Sequence, residues 1–489
     1  MIGRALVVAF ALALAGAAIA VHPAVKASTP LRDFEAYYAA GATWFYHGDP
    51  YGRDVWRVEK TVPGVTPGRD ELLPFVGPPF GLPLYGAIAG FGWPAATLVW
   101  SALLTLALAA LCLGSLRAAQ GSIGALDVLA AALFAGCFGP LTSGVSLGQV
   151  AVLACAAIAL VPLALGPRGT FALAACALVA ALQPNLAVVL AACAGTRRAA
   201  IAFALTIVLV AGGSALALAG LGGIPHYLDV LREHAAAERF IAIQTTVPAV
   251  ARAFGAAPQV AGELAFGAAL VTIALLALQV TRGRYGPGDR LALACAALPL
   301  ALPFAHEHDF TLAFFPAIVV ARRARGWAWS LGGLAALTIA VDWLGLAQRS
   351  NAIASAALLA AAAAFALAAL ARGPLRPLHF LPLAIVPAVA LAGLAAGAHP
   401  LPTWPDNLPA HFNVPATLPA AEVWRVEQLA SGVAALDWHW ALLRAFSLAG
   451  CALLWGVASY VLLSAPETEP SSVPSSIPLG RPQAAHPSA

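Results

Sequence analysis

Charge is what this sequence has least of. Only 10% of its 489 residues are charged, 61% are hydrophobic, and the mean hydropathy is +0.84. Soluble domains carry about 25% charged residues, so this chain cannot cover a globule with polar surface. No basic face is concentrated enough to track a phosphate backbone, and the net charge is only +4; both observations argue against a nucleic-acid partner. No CxxC occurs among the seven cysteines, Cys112, Cys137, Cys155, Cys176, Cys193, Cys295 and Cys451. All lie inside apolar runs and read as small core residues rather than as disulfides or metal ligands. There is no HExxH spacing either.

What is present is a series of apolar runs of about 20 residues, long enough to cross a bilayer as helices. The candidate spans are 4–22, 95–116, 123–141, 148–165, 199–221, 262–281, 290–305, 309–321, 328–345, 352–371, 378–397 and 442–463. They predict an all-α polytopic membrane protein of about twelve transmembrane helices. Arg4 before the first run and Ala-Ile-Ala at its end also fit a signal peptide, but the many later spans favour an uncleaved first helix. The run 170–195 is interrupted at Leu182-Gln183-Pro184-Asn185. Proline removes a backbone donor, and a broken helix at membrane depth must face protein or a watery cavity. This run therefore reads as re-entrant or doubly half-spanning. The proline-rich segment Pro78–Trp93 reads as a short outer-leaflet helix.

With that topology the arginines collect on one side: Arg117, Arg168, Arg197, Arg198, Arg282, Arg284, Arg290, Arg322, Arg323, Arg325, Arg372 and Arg376. By the positive-inside rule that side is cytoplasmic. The acids Asp33, Asp49, Glu233, Glu307, Asp309 and Asp406 fall on the other. The integral domain is 1–464, with outside loops 23–94, 222–261 and 398–441, and 465–489 is a Pro- and Ser-rich tail read as disordered and cytoplasmic. Within the second loop, His226–Phe240 has the pattern of a helix lying in the interface plane. The third loop carries Trp404, Trp424, Trp438 and Trp440, an interfacial aromatic set. The location expected is a cell (inner or plasma) membrane, with the site on its extracytoplasmic face.

Several polar residues need an explanation in so apolar a chain. Asp33 lies about a dozen residues past the first span, among Phe34, Tyr37, Tyr38, Trp44, Phe45 and Tyr46. It suits either an N-cap or a general base at the membrane face. Gly48-Asp49-Pro50-Tyr51 is a turn in which Asp49 bonds its own backbone. His306, Glu307, His308 and Asp309 are dense for this chain. Neighbours two apart do not share a helix face, so an anion or proton-relay site fits better than a divalent metal, and Asp309 also suits a helix cap. Gln149, Gln183 and Asn185 suit interhelical bonding or a sugar-binding cleft. Arg232, His234, Arg239, Arg252 and Arg349 sit where a lipid phosphate could be met, with solvated positions as the ordinary alternative.

The same residues carry a resemblance. Asp33-Phe34 with Tyr37-Tyr38-Ala39-Ala40, then Gly48-Asp49-Pro50-Tyr51, is similar to the first-loop signature of glycosyltransferase family 87, polytopic mannosyltransferases of the GT-C superfamily. Pro78-Pro79-Phe80, Gly148-Gln149-Val150, Gln183-Pro184 and Pro303–Asp309 follow in the family's order. Two positions depart from it: Gly77 stands where the family has an aromatic, and Gln183 where it usually has lysine, which removes one possible phosphate contact. Beyond residue 310 only hydropathy is shared.

The resemblance implies a GT-C-type fold and a sugar, usually mannose, passed from a polyprenyl-phosphate carrier to a hydroxyl of a glycolipid or glycan. Membrane lipids would surround the chain. It implies Asp33 as general base and inversion at the anomeric carbon; some GT-C relatives use a divalent metal and others do not, and here we expect no cofactor and favour no metal. We expect His306 or His308, with Arg232 nearby, at the donor phosphate. Gln149 and Gln183 would meet the donor, and Tyr37, Tyr38 and Glu307 would form the wall or meet the acceptor. The alternatives are a multi-span transporter or flippase, which needs polar sites at the midplane, and a non-catalytic partner in envelope glycan assembly.

Overall fold

The computed structural model describes residues 31–66, 68–165, 169–283, 285–340, 402 and 404–463. The expected spans 4–22, 352–371 and 378–397, the tail 465–489, and Arg349, Arg372 and Arg376 lie outside these. Among the described residues every regular element is helical. The first half comprises α1 (Arg32–Phe45), α2 (Val55–Glu59), α3 (Leu82–Ala89), α4 (Trp93–Ala118), α5 (Ala125–Cys137), α6 (Gly139–Leu147), α7 (Ala151–Ala164), α8 (Thr170–Ala180) and α9 (Pro184–Ala187). Then come α10 (Arg197–Ala217), α11 (Gly223–Glu238), α12 (Val247–Ala253), α13 (Pro258–Arg282), α14 (Pro287–Ala301), α15 (Phe314–Arg323), α16 (Trp327–Ala340), α17 (Ala420–Ser431) and α18 (Trp438–Leu463). Short 3₁₀ segments run over Pro79–Gly81, Val188–Cys193 and Glu307–Ala313.

Local chemistry sets these boundaries. Prolines open α4, α12, α13 and α14 in the first turn, where the missing N–H costs nothing. Thr196 and Thr246 cap α10 and α12, accepting from Ala199 N at 3.2 Å and Ala249 N at 3.3 Å. Arg117 and Arg282 sit in the last turns of α4 and α13, matching the negative end of the helix dipole.

Among the described residues four helices are long and apolar enough to cross a membrane: α4, α10, α13 and residues Arg444–Leu463 of α18. A fifth is formed if α5 and α6, bent by 68° where they meet, make one broken span. Large apolar side chains point outward from these helices, among them Leu98, Leu106, Val208, Phe266 and Val271. An apolar surface this continuous needs a lipid rather than a water neighbour. The described residues do not reach twelve spans. The run 148–165 is a helix of 14 residues, about 21 Å long and short of the roughly 30 Å hydrocarbon core. The run 309–321 begins as a 3₁₀ turn, and 123–141 holds the bend rather than one straight helix.

Other expectations match. The run 170–195 is broken: α8 ends at Ala180 and α9 starts at Pro184. Pro78–Trp93 holds the eight-residue α3, too short to cross. Asp49 Oδ1 accepts from Tyr51 N at 3.0 Å in the Gly-Asp-Pro-Tyr turn. The six described thiols are free, all buried except the half-buried Cys176. Trp404 and Trp424 are a correction. They meet edge to face, with ring centres 4.8 Å apart, and Trp424 is buried inside the protein rather than presented at its surface. Trp438 remains exposed.

The part of the fold that positions the site is the packing of α1 on α3 and of α4 on α7. Helices α1 and α3 cross closely at Gly41, where an added Cβ would come within 2.6 Å of the Gly86 nitrogen. Phe34 stacks on Trp100 of α4 at 4.8 Å, and Tyr37 on Tyr85 of α3 at 5.2 Å. These rings lock one face of α1 and leave Asp33 at the rim of a cavity.

Candidate active site

Asp33 is the second residue of α1, not its N-cap; that place belongs to Leu31, in the left-handed region at φ 63°. Such a conformation costs a β-carbon residue about 1–2 kcal/mol, and here Leu31 N donates to Ser146 O at 2.9 Å. The carboxylate of Asp33 is then free of capping duty. Gln149 Nε2 donates to its Oδ2 at 2.5 Å, and Gln149 Oε1 accepts from Tyr37 OH at 2.8 Å. Tyr37 thus fixes which end of the amide meets Asp33. Gly148 makes this possible. Its φ is 80°, an added Cβ would lie 2.7 Å from Phe34 Cβ, and its carbonyl accepts from Trp100 Nε1 at 2.8 Å. Burial pushes the Asp33 carboxyl above the usual carboxylate range, against the opposing pull of the Gln149 bond and the His306 charge. A base so raised takes a proton more readily near neutral pH.

Asp33 lines a cavity of about 1190 Å³. Tyr37, Gln149, Gln183, His306, Glu307 and His308 line it too, as do Asn185, Asp309, His234 and Glu238. The helix break explains itself here. Gln183 Nε2 donates to Asp309 Oδ1 at 3.1 Å, Asn185 adds a side-chain bond, and Asp309 Oδ2 accepts from His306 N at 3.0 Å. Asp309 therefore does close the turn before α15, as a capping residue should, and ties the break to the histidine segment. His306 and His308 stack at 5.3 Å between ring centres.

Two expected residues do not join this group. Arg232 is exposed and pairs with Asp229 at 2.8 Å. It stands about 200° around the helix from His234, on the opposite face. Tyr38 packs edge to face on Trp93 at 5.1 Å, outside the cavity lining. Arg239 lies over the Phe240 ring, and Arg252 donates to Ala256 O at 2.8 Å.

The sequence reading missed Glu238, the most heavily bonded carboxylate in the cavity. It is 3% exposed. Trp424 Nε1 donates to its Oε1 at 2.5 Å; Gln244 Nε2 lies 3.2 Å, His306 Nε2 3.2 Å and His234 Nε2 3.4 Å from Oε2. Burial opposes its charge, yet His234 and His306 hold it well below the usual carboxylate range. His234 is buried, not solvated. The one signal in the sequence was the i,i+4 spacing of His234 and Glu238. Among the described residues no cluster of three or more His, Cys, Asp or Glu side chains is arranged to hold a metal ion.

A second buried charged group was also missed. Arg32 donates to Glu35 at 2.7 Å and to Glu71 at 3.2 Å, and lies 4.9 Å from the Trp404 ring. Arg69 Nε donates to Glu71 at 2.8 Å. Glu427 accepts from Leu72 N at 2.8 Å and from Trp404 Nε1 at 2.7 Å. Glu59 is wholly buried, and among the described residues neither of its oxygens meets a side-chain donor or a cation at pairing distance. Burial, with Glu35 adding to it, pushes its carboxyl well above the usual range, so it is held neutral.

Residues 75–303, just under half of the chain, match the model of glycosyltransferase family 87, the family that the loop motifs resemble. The matched range includes Gln149, Gln183 and Glu238 and stops short of Asp33 and His306. No curated protein and no solved structure matches the chain. The family match indicates a glycosyltransferase, which takes a sugar from a donor and gives it to an acceptor.

Proposed function

We propose that this glycosyltransferase moves a sugar, mannose in the first instance, from a polyprenyl-phosphate carrier to a hydroxyl of a glycolipid or glycan. Transfer takes place at the extracytoplasmic face of a cell membrane. The observation that carries the reading is Asp33: a carboxylate desolvated enough to accept a proton, aimed by Gln149 and Tyr37, at the wall of a cavity that also holds His306 and His308. In the step we infer, the acceptor oxygen attacks the anomeric carbon while its proton passes to Asp33. The bond from that carbon to the phosphate oxygen breaks, and the phosphate leaves with its electron pair. Direct displacement inverts the anomeric centre, so a β-linked donor gives an α-linkage. Charge growing on the leaving phosphate meets the histidine side of the cavity, where an aimed N–H donor stabilises it.

The test supplies radiolabelled polyprenyl-phosphate-mannose and membrane glycolipid acceptors to the purified protein. Asp33→Asn keeps the size of the side chain and removes its basicity. Its transfer rate should fall by about 10²–10⁴-fold, the range of general-base contributions. A variant that transfers at the wild-type rate would remove Asp33 from the role of base.

A further inference from the structure

The cavity holds few cations able to face a phosphate. Arg32 and Arg69 line it, but both are engaged by Glu35 and Glu71. Arg232 points away. Among the described residues the cavity's remaining cation candidates are imidazoles, and the geometry selects one. Gln244 Oε1 accepts from Ala305 N at 2.9 Å, which turns its NH₂ toward Glu238 Oε2 and to within 3.3 Å of His306 Nε2. Arg444 fixes that segment from behind, donating to Gln244 O at 2.7 Å. An NH₂ group gives His306 no acceptor, so Glu238 is the group that receives a proton from Nε2. Nδ1 is then the ring nitrogen left to meet a ligand, and it can donate only if the ring is cationic. Burial, and after it the charge of the stacked His306, push His308 well below the usual imidazole range. Asp33 on α1, Asp309 beside the ring, and Glu238 and His234 on α11 are the other titratable groups facing it.

We propose that Glu238 is a positioning residue for the donor phosphate: it commits Nε2 of His306 as a donor and keeps the ring cationic, so that Nδ1–H is presented to the phosphate. The inference rests on the glycosyltransferase reading above and names the group that makes its phosphate site work. Burial alone would push His306 down; its bond to Glu238 and the Glu238 charge outweigh this and raise it. Without that carboxylate the ring loses its proton at lower pH.

The experiment compares full-length wild type, Glu238→Gln, Glu238→Asp and His306→Asn in lipid nanodiscs. In the pH profile of transfer, Glu238→Gln should move the alkaline limb to lower pH by about one unit, a tenfold loss of charged ring above both values. The KM for donor should rise while that for acceptor stays. Glu238→Asp should recover part of the shift. Binding of farnesyl phosphate is a readout independent of transfer. Wild type should keep binding it to a higher pH than Glu238→Gln does, and His306→Asn should bind it weakly throughout. Farnesol should show no such pattern. An alkaline limb and a pH dependence of binding that are the same in wild type and Glu238→Gln overturn the proposal. If Glu238→Gln loses its thermal transition, Glu238→Asp takes its place, and a limb unmoved there overturns it equally. Wild type that binds farnesyl phosphate as described but transfers no sugar would sink the transferase reading and leave this one standing.

Discussion

Around Glu238 one carboxylate meets four donors, from Trp424, Gln244, His234 and His306, whereas around Arg32 four carboxyl groups gather near two guanidinium groups, which pair with Glu35 and Glu71 and leave Glu59 and Glu427 without an ion pair among the described residues. Both assemblies are buried and both reach the same cavity. The surplus decides what each can do. With donors in excess, a carboxylate stays ionised and lends its charge to a neighbouring ring. With acids in excess, one carboxyl must stay protonated, and the group works as a strut that joins α1 to the 404–431 segment. Buried ion pairs add little net stability over apolar packing, but losing one partner is costly.

That contrast can be broken most severely at Arg32. Arg32→Met leaves Glu35 without a cation and Glu71 with Arg69 alone, and should cost about 3–5 kcal/mol, read as a lower midpoint in thermal or denaturant unfolding. Because the stranded carboxyls can protonate, the loss should shrink on acidification; a loss that is the same at pH 5 and pH 8 argues against the strut. Trp424→Phe comes next. Removing one donor from an ionised acceptor should cost about 1.5–3 kcal/mol, and a change below about 0.5 kcal/mol would mean that the remaining donors suffice. The smallest effect is expected at Glu59. Its folded pKa lies above the unfolded one, so its contribution is complete below the unfolded value near 4.5 and is lost as pH rises toward the folded value. Glu59→Gln stays neutral throughout. Its stability at pH 5 should match wild type within about 0.5 kcal/mol, and its midpoint should fall less between pH 5 and pH 9. An unchanged slope would show that another carboxyl carries the proton.

The sequence revealed these two assemblies unequally. Apolar run lengths give the long helices α4, α10, α13 and α18 because lipid contact leaves a compositional trace. Residues near 31–37, 149, 183 and 306 were marked by being polar in an oily chain, and the fold brings Asp33, Gln149, Gln183 and His306 to one cavity. Arg232 was misjudged because charge alone does not report helix phase; it lies across α11 from His234 and Glu238. Glu238 looked like one more acid on an amphipathic helix. Glu427 lies more than 350 residues beyond Glu59 and Glu71, so their meeting depends on tertiary contacts that no local pattern records. The short helix α7 was read as an ordinary span because hydropathy measures composition, not where a helix stops.

The turn between α6 and α7 ties three segments together through two carbonyls and one side chain: Ser146 O takes the Leu31 N–H, Gly148 O takes the Trp100 indole, and Gln149 Nε2 reaches Asp33. It has no spare length. One residue inserted between Leu147 and Gln149 would keep composition, hydropathy and charge intact yet put each of these atoms out of step. In a library of random insertions this stretch should therefore be among the emptiest, while the Gly255 turn between α12 and α13, whose glycine has open space around it, should fill.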